Sequence, residues 1–261
     1  MNIKDAFEAL RRKKEGALIA YICAGDPNSQ KTVEIVNALV NGGVDIIELG
    51  LPFSDPIADG ATIQAAMDRA LTAGMNPDRF FQLIRSIKVD VPLVVMTYYN
   101  IILKRGVERF ISECQSTGIS GIIVPDLPVE ESDELYQGCR KYDIDLIFMV
   151  TPITTEKRIE RILKRTSGFI YVVSRLGVTG ARENIADQAN EILKLVNKKS
   201  LSVPTAIGFG ISKPEHVRSL IDAGADGVIV GSAFMDVIAK DGADMLEELE
   251  ELAATLKGAT K

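Results

Sequence analysis

Pro204-Thr205-Ala206-Ile207-Gly208-Phe209-Gly210-Ile211-Ser212-Lys213-Pro214-Glu215 holds one complete structural unit: a short apolar run, a glycine-rich exit and the start of a helix. Ser212 and Glu215 have the spacing of a capping box, with Ser212 as the N-cap and Glu215 reaching back. Seven more runs of the same kind lie at Leu18 to Ile22, Ile46 to Leu49, Leu93 to Thr97, Gly121 to Val124, Leu146 to Val150, Phe169 to Val173 and Gly227 to Val230. They are continuously apolar rather than alternating, as expected of parallel strands covered on both faces, and helical periodicity fills the intervals. Eight such units predict an α/β fold, a TIM (β/α)8 barrel; an open doubly wound sheet is disfavoured because no early G-x-G-x-x-G is present.

Two helices are expected beyond the eight. Met1 to Lys14 spaces its apolar residues as an amphipathic N-terminal helix, and Gly60 to Leu71 reads as an extra helix after strand two. Asn28-Ser29-Gln30 and Asn76-Pro77-Asp78 are further helix starts. No linker or low-complexity run interrupts the 261 residues, so 1–261 is expected to be a single barrel domain.

With 46% hydrophobic and 25% charged residues the chain can bury a substantial core. Thirty Lys and Arg against 36 Asp and Glu give a net charge of -6 with no basic stripe, which disfavours a nucleic acid partner. No apolar run is long enough to span a bilayer and no secretory signal core is visible, so neither membrane insertion nor export is expected. Cys23, Cys114 and Cys139 share no short spacing and read as reduced thiols of a cytoplasmic protein.

The second strand runs into an acidic, turn-rich loop, Asp45-Ile46-Ile47-Glu48-Leu49-Gly50-Leu51-Pro52-Phe53-Ser54-Asp55-Pro56-Ile57-Ala58-Asp59-Gly60. If Ile46 points into the barrel, period-two alternation sends Glu48 inward near the catalytic end. Such a carboxyl is either a general acid or base with a raised pKa or one half of an ion pair with a barrel Arg or Lys. Asp59 is either a second acidic group of that site or the N-cap of the inserted helix. Late in the chain, Gly208 to Ser212 and Gly231-Ser232 follow strands seven and eight, where barrels often bind phosphate on backbone N–H groups; Gly177 to Arg182 after strand six is either a lid over that site or an ordinary surface loop with Arg182 solvated. Tyr21, Met96, Tyr98 and Tyr171 either line a pocket for a flat apolar ring or are packing residues. The single histidine, His216, falls in the first turn of a helix and reads as solvated, which leaves no histidine-rich metal site. No predicted strand end carries an interior lysine, which argues against Schiff-base chemistry.

Ile47 to Gly60 resembles, throughout, the signature of the tryptophan synthase alpha chain family. Gly25-Asp26-Pro27, Pro125-Asp126-Leu127-Pro128, Tyr171 to Gly180 and Gly208 to Ser212 extend the likeness along essentially the whole chain. The resemblance implies a lyase that splits indole-3-glycerol phosphate into indole and glyceraldehyde 3-phosphate. It implies Glu48 as the acid-base residue, Asp59 as acceptor of the indole N–H and Tyr171 beside them. It further implies Tyr21, Met96, Tyr98 and Thr179 around the substrate, and Gly180, Gly210, Gly231 and Ser232 at its phosphate. Pro52 and Asp55 match loop positions that communicate with a beta chain in an α2β2 assembly, where the partner carries pyridoxal phosphate and this chain needs no metal or cofactor. Tyr21 departs from the phenylalanine common there, and Cys23-Ala24 is also less familiar. Two rivals are a sugar-phosphate isomerase barrel, sharing the glycine exits without needing the Glu48 to Asp59 signature, and a chain acting chiefly as an allosteric partner.

Overall fold

The computed structural model describes residues 1–173, 185–199, 202–208 and 210–261, with the side chains of 185–190 outside the description. Its strands are β1 (Ala17–Cys23), β2 (Ile46–Gly50), β3 (Leu93–Met96), β4 (Ile119–Ile123), β5 (Asp145–Ile147), β6 (Met149–Val150), β7 (Ile170–Val173), β8 (Thr205–Gly208) and β9 (Gly227–Val230). They pair in the order β5-β4-β3-β2-β1-β9-β8-β7-β6, every pairing parallel. The two ends of that order are consecutive in the chain, separated by Phe148 alone, so β5 and β6 are halves of one broken stave and the ring closes through it. Eight staves are what the sequence predicts. The break lies where the fifth stave changes partner: the first half bonds β4, the second bonds β7, and the Phe148 carbonyl accepts from the Tyr171 N–H at 3.1 Å.

Every residue of β1, β2, β3, β7, β8 and β9 is buried, which explains the apolar runs: one face meets the barrel interior and the other the helices. The helices are α1 (Ile3–Lys13), α2 (Ser29–Asn41), α3 (Ala61–Thr72), α4 (Pro77–Ser86), α5 (Tyr99–Arg105), α6 (Val107–Thr117), α7 (Asp133–Lys141), α8 (Glu156–Leu163), α9 (Ile185–Lys199), α10 (Pro214–Asp222), α11 (Ser232–Lys240) and α12 (Met245–Gly258). The expected N-terminal and inserted helices are α1 and α3. Asn28 and Asn76 cap α2 and α4 through their side chains, as their sequences suggest. The capping box does not form: Lys213 is the N-cap of α10 and Pro214 opens the helix, so Ser212 lies one residue too early to cap it. Proline's fixed φ suits the first helical position and sets the start there. Among the described residues no helix is long and apolar enough to cross a membrane.

At the end of the barrel where the strands begin lies α1, whose buried Ile3 and Phe7 pack against Gly121 of β4 and Gly227 of β9. There α12 is pinned by one ammonium group. Lys257 Nζ reaches Asp45 Oδ2 at 2.9 Å, the Gly16 carbonyl at 3.1 Å and Glu15 Oε2 at 3.2 Å, while the same Asp45 oxygen accepts the Leu18 N–H at 2.8 Å. Burial raises the pKa of Asp45 and Lys257 opposes the rise. Lys257→Met is therefore expected to cost about 2 kcal/mol, less than the loss from a fully buried pair, read as a lower denaturation midpoint with an unchanged m-value.

Candidate active site

The alternation along β2 turns Glu48 into the barrel at its C-terminal end, in register with Tyr21 of β1 and Val94 of β3. Glu48 is 1% exposed, and neither carboxyl oxygen has a hydrogen-bond partner. The ion-pair alternative is thus not found among the described residues. Burial, reinforced by the charge of Asp59, pushes the Glu48 carboxyl up to about 8, so it holds its proton at neutral pH.

Asp59 reaches the same space from the loop after β2. The cap of α3 is Gly60, which makes no side-chain capping bond, and the Asp59 side chain is engaged elsewhere: its Oδ2 accepts the Tyr98 hydroxyl at 2.6 Å. Tyr98 Oη in turn accepts the Ala58 N–H at 2.9 Å, and Phe53 stacks on its ring at 5.1 Å between centroids. One buried phenol therefore holds three points of the acidic loop. Burial raises the Asp59 pKa and the Tyr98 bond opposes the rise. The Tyr98 proton is held still more firmly, through burial and then the bond to Asp59, so Tyr98 is the donor.

Glu48, Asp59, Tyr21, Met96 and Tyr171 line one cavity of about 310 Å³, on the scale of a small-molecule site. Gly210, Gly231 and Ser232 line it from the other side. Gly210 has φ +75°, a left-handed conformation that glycine adopts without strain. Gly231 precedes α11, whose start carries no side-chain cap, so backbone N–H groups and the helix dipole favour an anion there. Tyr98 stands behind Asp59 and is absent from the cavity lining. Pro52 is buried and Asp55 exposed on the loop. Thr179, Gly180 and the 177–182 segment lie outside the described residues, as does Phe209.

Two tyrosines cross the barrel mouth in the same manner. Tyr21 pairs with Glu48, and its ring lies over Gly50 on the next strand, so that a Cβ at Gly50 would overlap the hydroxyl and stand 2.8 Å from Cζ. Tyr171 pairs with Ala206, and a Cβ at Gly208 would stand 2.5 Å from its hydroxyl.

Sequence reasoning missed what anchors α3, the helix whose first residues line the cavity beside Asp59. Arg69 grips Asp26 with two bonds, Nε to Oδ1 at 2.8 Å and Nη2 to Oδ2 at 2.7 Å, and the Asp26 side chain has no exposure. The partners are 43 residues apart, and the only signal was the Gly25-Asp26-Pro27 turn, which carries no mark of its partner. His216 is exposed, as expected, and its Nδ1 lies 3.5 Å from the Ser212 N–H. Among the described residues no group of three His, Cys, Asp or Glu side chains stands close enough to hold a metal ion.

Comparison with known proteins follows the same lines. The tryptophan synthase alpha chain family matches residues 7–261. The alpha chain of Methanosarcina barkeri is 55% identical over 259 residues, covering 99% of this chain and 97% of the relative. Among solved structures, the tryptophan synthase α2β2 complex of Pyrococcus furiosus is 41% identical with a TM-score of 0.88, covering 94% of this chain and 98% of that one. An aminoacrylate-bound tryptophan synthase of Mycobacterium tuberculosis is 31% identical with a TM-score of 0.90, covering 99% of both chains.

Proposed function

The chain belongs to the tryptophan synthase alpha chain family, and on that premise we propose that Glu48 and Asp59 carry its lyase reaction, the cleavage of indole-3-glycerol phosphate to indole and glyceraldehyde 3-phosphate. The observation that carries the assignment is the Glu48 carboxyl, buried, without a hydrogen-bond partner, protonated at neutral pH and open to the same cavity as Asp59.

Protonated Glu48 delivers its proton to the indole carbon that bears the side chain. The ring then carries positive charge, and Asp59, accepting the indole N–H, stabilises it. The carboxylate left on Glu48 takes the proton of the hydroxyl on the adjacent carbon. As the aldehyde forms, the carbon–carbon bond breaks and its electron pair restores the aromatic ring; Glu48 ends protonated, ready for the next turnover. Tyr98 serves the cycle by fixing Asp59 before substrate arrives. Tyr171 and Met96 flank the ring, while Gly210, Gly231 and Ser232 receive the phosphate at the α11 N-terminus. Both proton transfers run through Glu48 and the charge they create is met by Asp59, and the pyridoxal phosphate of the complex belongs to the beta chain.

A beta-chain partner in an α2β2 assembly fits the surface. Three exposed apolar side chains, Ile57 at 84%, Leu103 at 56% and Ile153 at 72%, lie on segments that follow the C-terminal ends of β2, β3 and β6. Pro52 and Asp55 belong to the same rim and would transmit closure between the two active sites. A biosynthetic role of this kind fits a cytoplasmic chain whose Cys23, Cys114 and Cys139 are free and buried. The test is indole release from indole-3-glycerol phosphate by the purified chain, alone and with a cognate beta chain. Turnover that rises with the partner is the expected result; no turnover in either condition would overturn the reading.

A further inference from the structure

Besides the two Glu48 oxygens, one more buried side-chain polar atom among the described residues lacks a hydrogen-bond partner: the hydroxyl of Tyr21. A buried hydroxyl without a partner is unfavourable, and phenylalanine would fill the same space without that penalty. Its setting shows where the missing partner comes from. Tyr21 lines the cavity, and its ring runs from Gly231, where a Cβ would stand 3.3 Å from Cδ1, to Gly50, where the hydroxyl lies. The oxygen therefore lies over Gly50, two residues along β2 from Glu48 and within reach of the charges of Glu48 and Asp59, rather than at the helix start where an anion is favoured. Burial, with Cys23, Asp59 and Glu48 nearby, keeps the phenol neutral, so it remains a donor.

We infer that the Tyr21 hydroxyl donates a hydrogen bond to the substrate oxygen on the carbon released as the aldehyde. The inference rests on the lyase reading, which brings that oxygen beside Glu48. While Glu48 removes the hydroxyl proton, electron density builds on the oxygen, and a donor already fixed there stabilises it without reorganisation. The bond is absent from the free protein and made only when substrate enters, so the unpartnered hydroxyl is a local destabilisation retained for turnover.

Tyr21→Phe keeps the ring and removes the oxygen. The experiment compares wild type and variant in kcat and KM for indole-3-glycerol phosphate, in Kd for 3-(indol-3-yl)propyl phosphate, which lacks both side-chain hydroxyls, and in melting temperature. Expected are a fall in kcat/KM of about tenfold or more, an analogue Kd unchanged within roughly twofold because its ring and phosphate contacts remain, and a melting temperature equal to or above that of wild type. Equal kcat/KM in the two proteins would overturn the inference while wild-type turnover upholds the lyase reading. An analogue weakened as much as the substrate would also overturn it, since the hydroxyl would then meet the ring or the phosphate. A variant that melts below wild type and loses affinity for both ligands would mark the hydroxyl as structural and reject the proposal. Wild type with no turnover would remove the lyase reading and the inference together.

Discussion

Glu48→Gln is expected to lower kcat for indole release by two to four orders of magnitude, the usual contribution of a positioned acid-base group. The amide has the carboxyl's shape but neither delivers nor accepts the proton, so binding of 3-(indol-3-yl)propyl phosphate should survive. The same substitution has a signature in stability. The folded-state pKa of Glu48 is raised, from an ordinary 4.5 to about 8. Below pH 4.5 both folded and unfolded chains hold the proton and the group imposes no penalty. Between these values the unfolded chain releases a proton that the folded chain keeps, so stability falls as pH rises, and the full penalty is reached above about 8. Glutamine escapes that dependence. The variant should gain on wild type by up to about 5 kcal/mol at pH 9, with little difference at pH 4, measured by denaturant unfolding at both values. In wild type kcat/KM should decline as pH rises through about 8, since the first step needs the protonated acid. A variant with wild-type turnover would remove Glu48 from the mechanism; equal pH profiles of stability would show that its proton is not held by burial.

Arg69→Met is expected to lower stability by about 3 kcal/mol and the melting temperature by roughly 10 °C. The arginine is 36% exposed and its stem alone is replaced by methionine, but Asp26 is left with a side chain of no exposure and neither of its two charge-assisted bonds. Breaking one side of a buried pair costs more than the pair contributes, so Asp26→Leu added to Arg69→Met should recover much of the loss. A single variant melting within 2 °C or so of wild type would mean that Asp26 gains water when the clamp is removed.

The strands were readable because burial on both faces writes itself into a chain as uninterrupted apolar runs, and Glu48 was readable because it interrupts one of them at an inward position. Asn28 and Asn76 could be recognised as caps from local spacing alone. Local spacing misled at Ser212, where proline two residues further on fixed the helix start instead. The break at Phe148 was hidden, since Leu146 to Val150 is as apolar as an unbroken strand and the change of partner depends on β4 and β7. At Asp59 the sequence left two roles open, because whether its carboxyl caps a helix or meets a tyrosine 39 residues away is decided only by folding. Tyr98 stood out among the aromatic residues, but its place behind Asp59 rather than on the cavity wall is likewise a long-range fact. The Asp26–Arg69 clamp is the extreme case: two charged residues of ordinary appearance joined across 43 positions.

The tyrosines that lie across Gly50 and Gly208 also constrain the order in which this barrel mouth can change by descent. A side chain at Gly50 collides with Tyr21, and one at Gly208 collides with Tyr171, whereas loss of either ring clears the space first. The four positions are thus two coupled pairs, in which a substitution at the glycine is tolerated after the aromatic change and rejected before it. A lineage that reshaped this pocket would have to pass through the smaller ring position first, so the history of one strand is written into what the next strand is free to become.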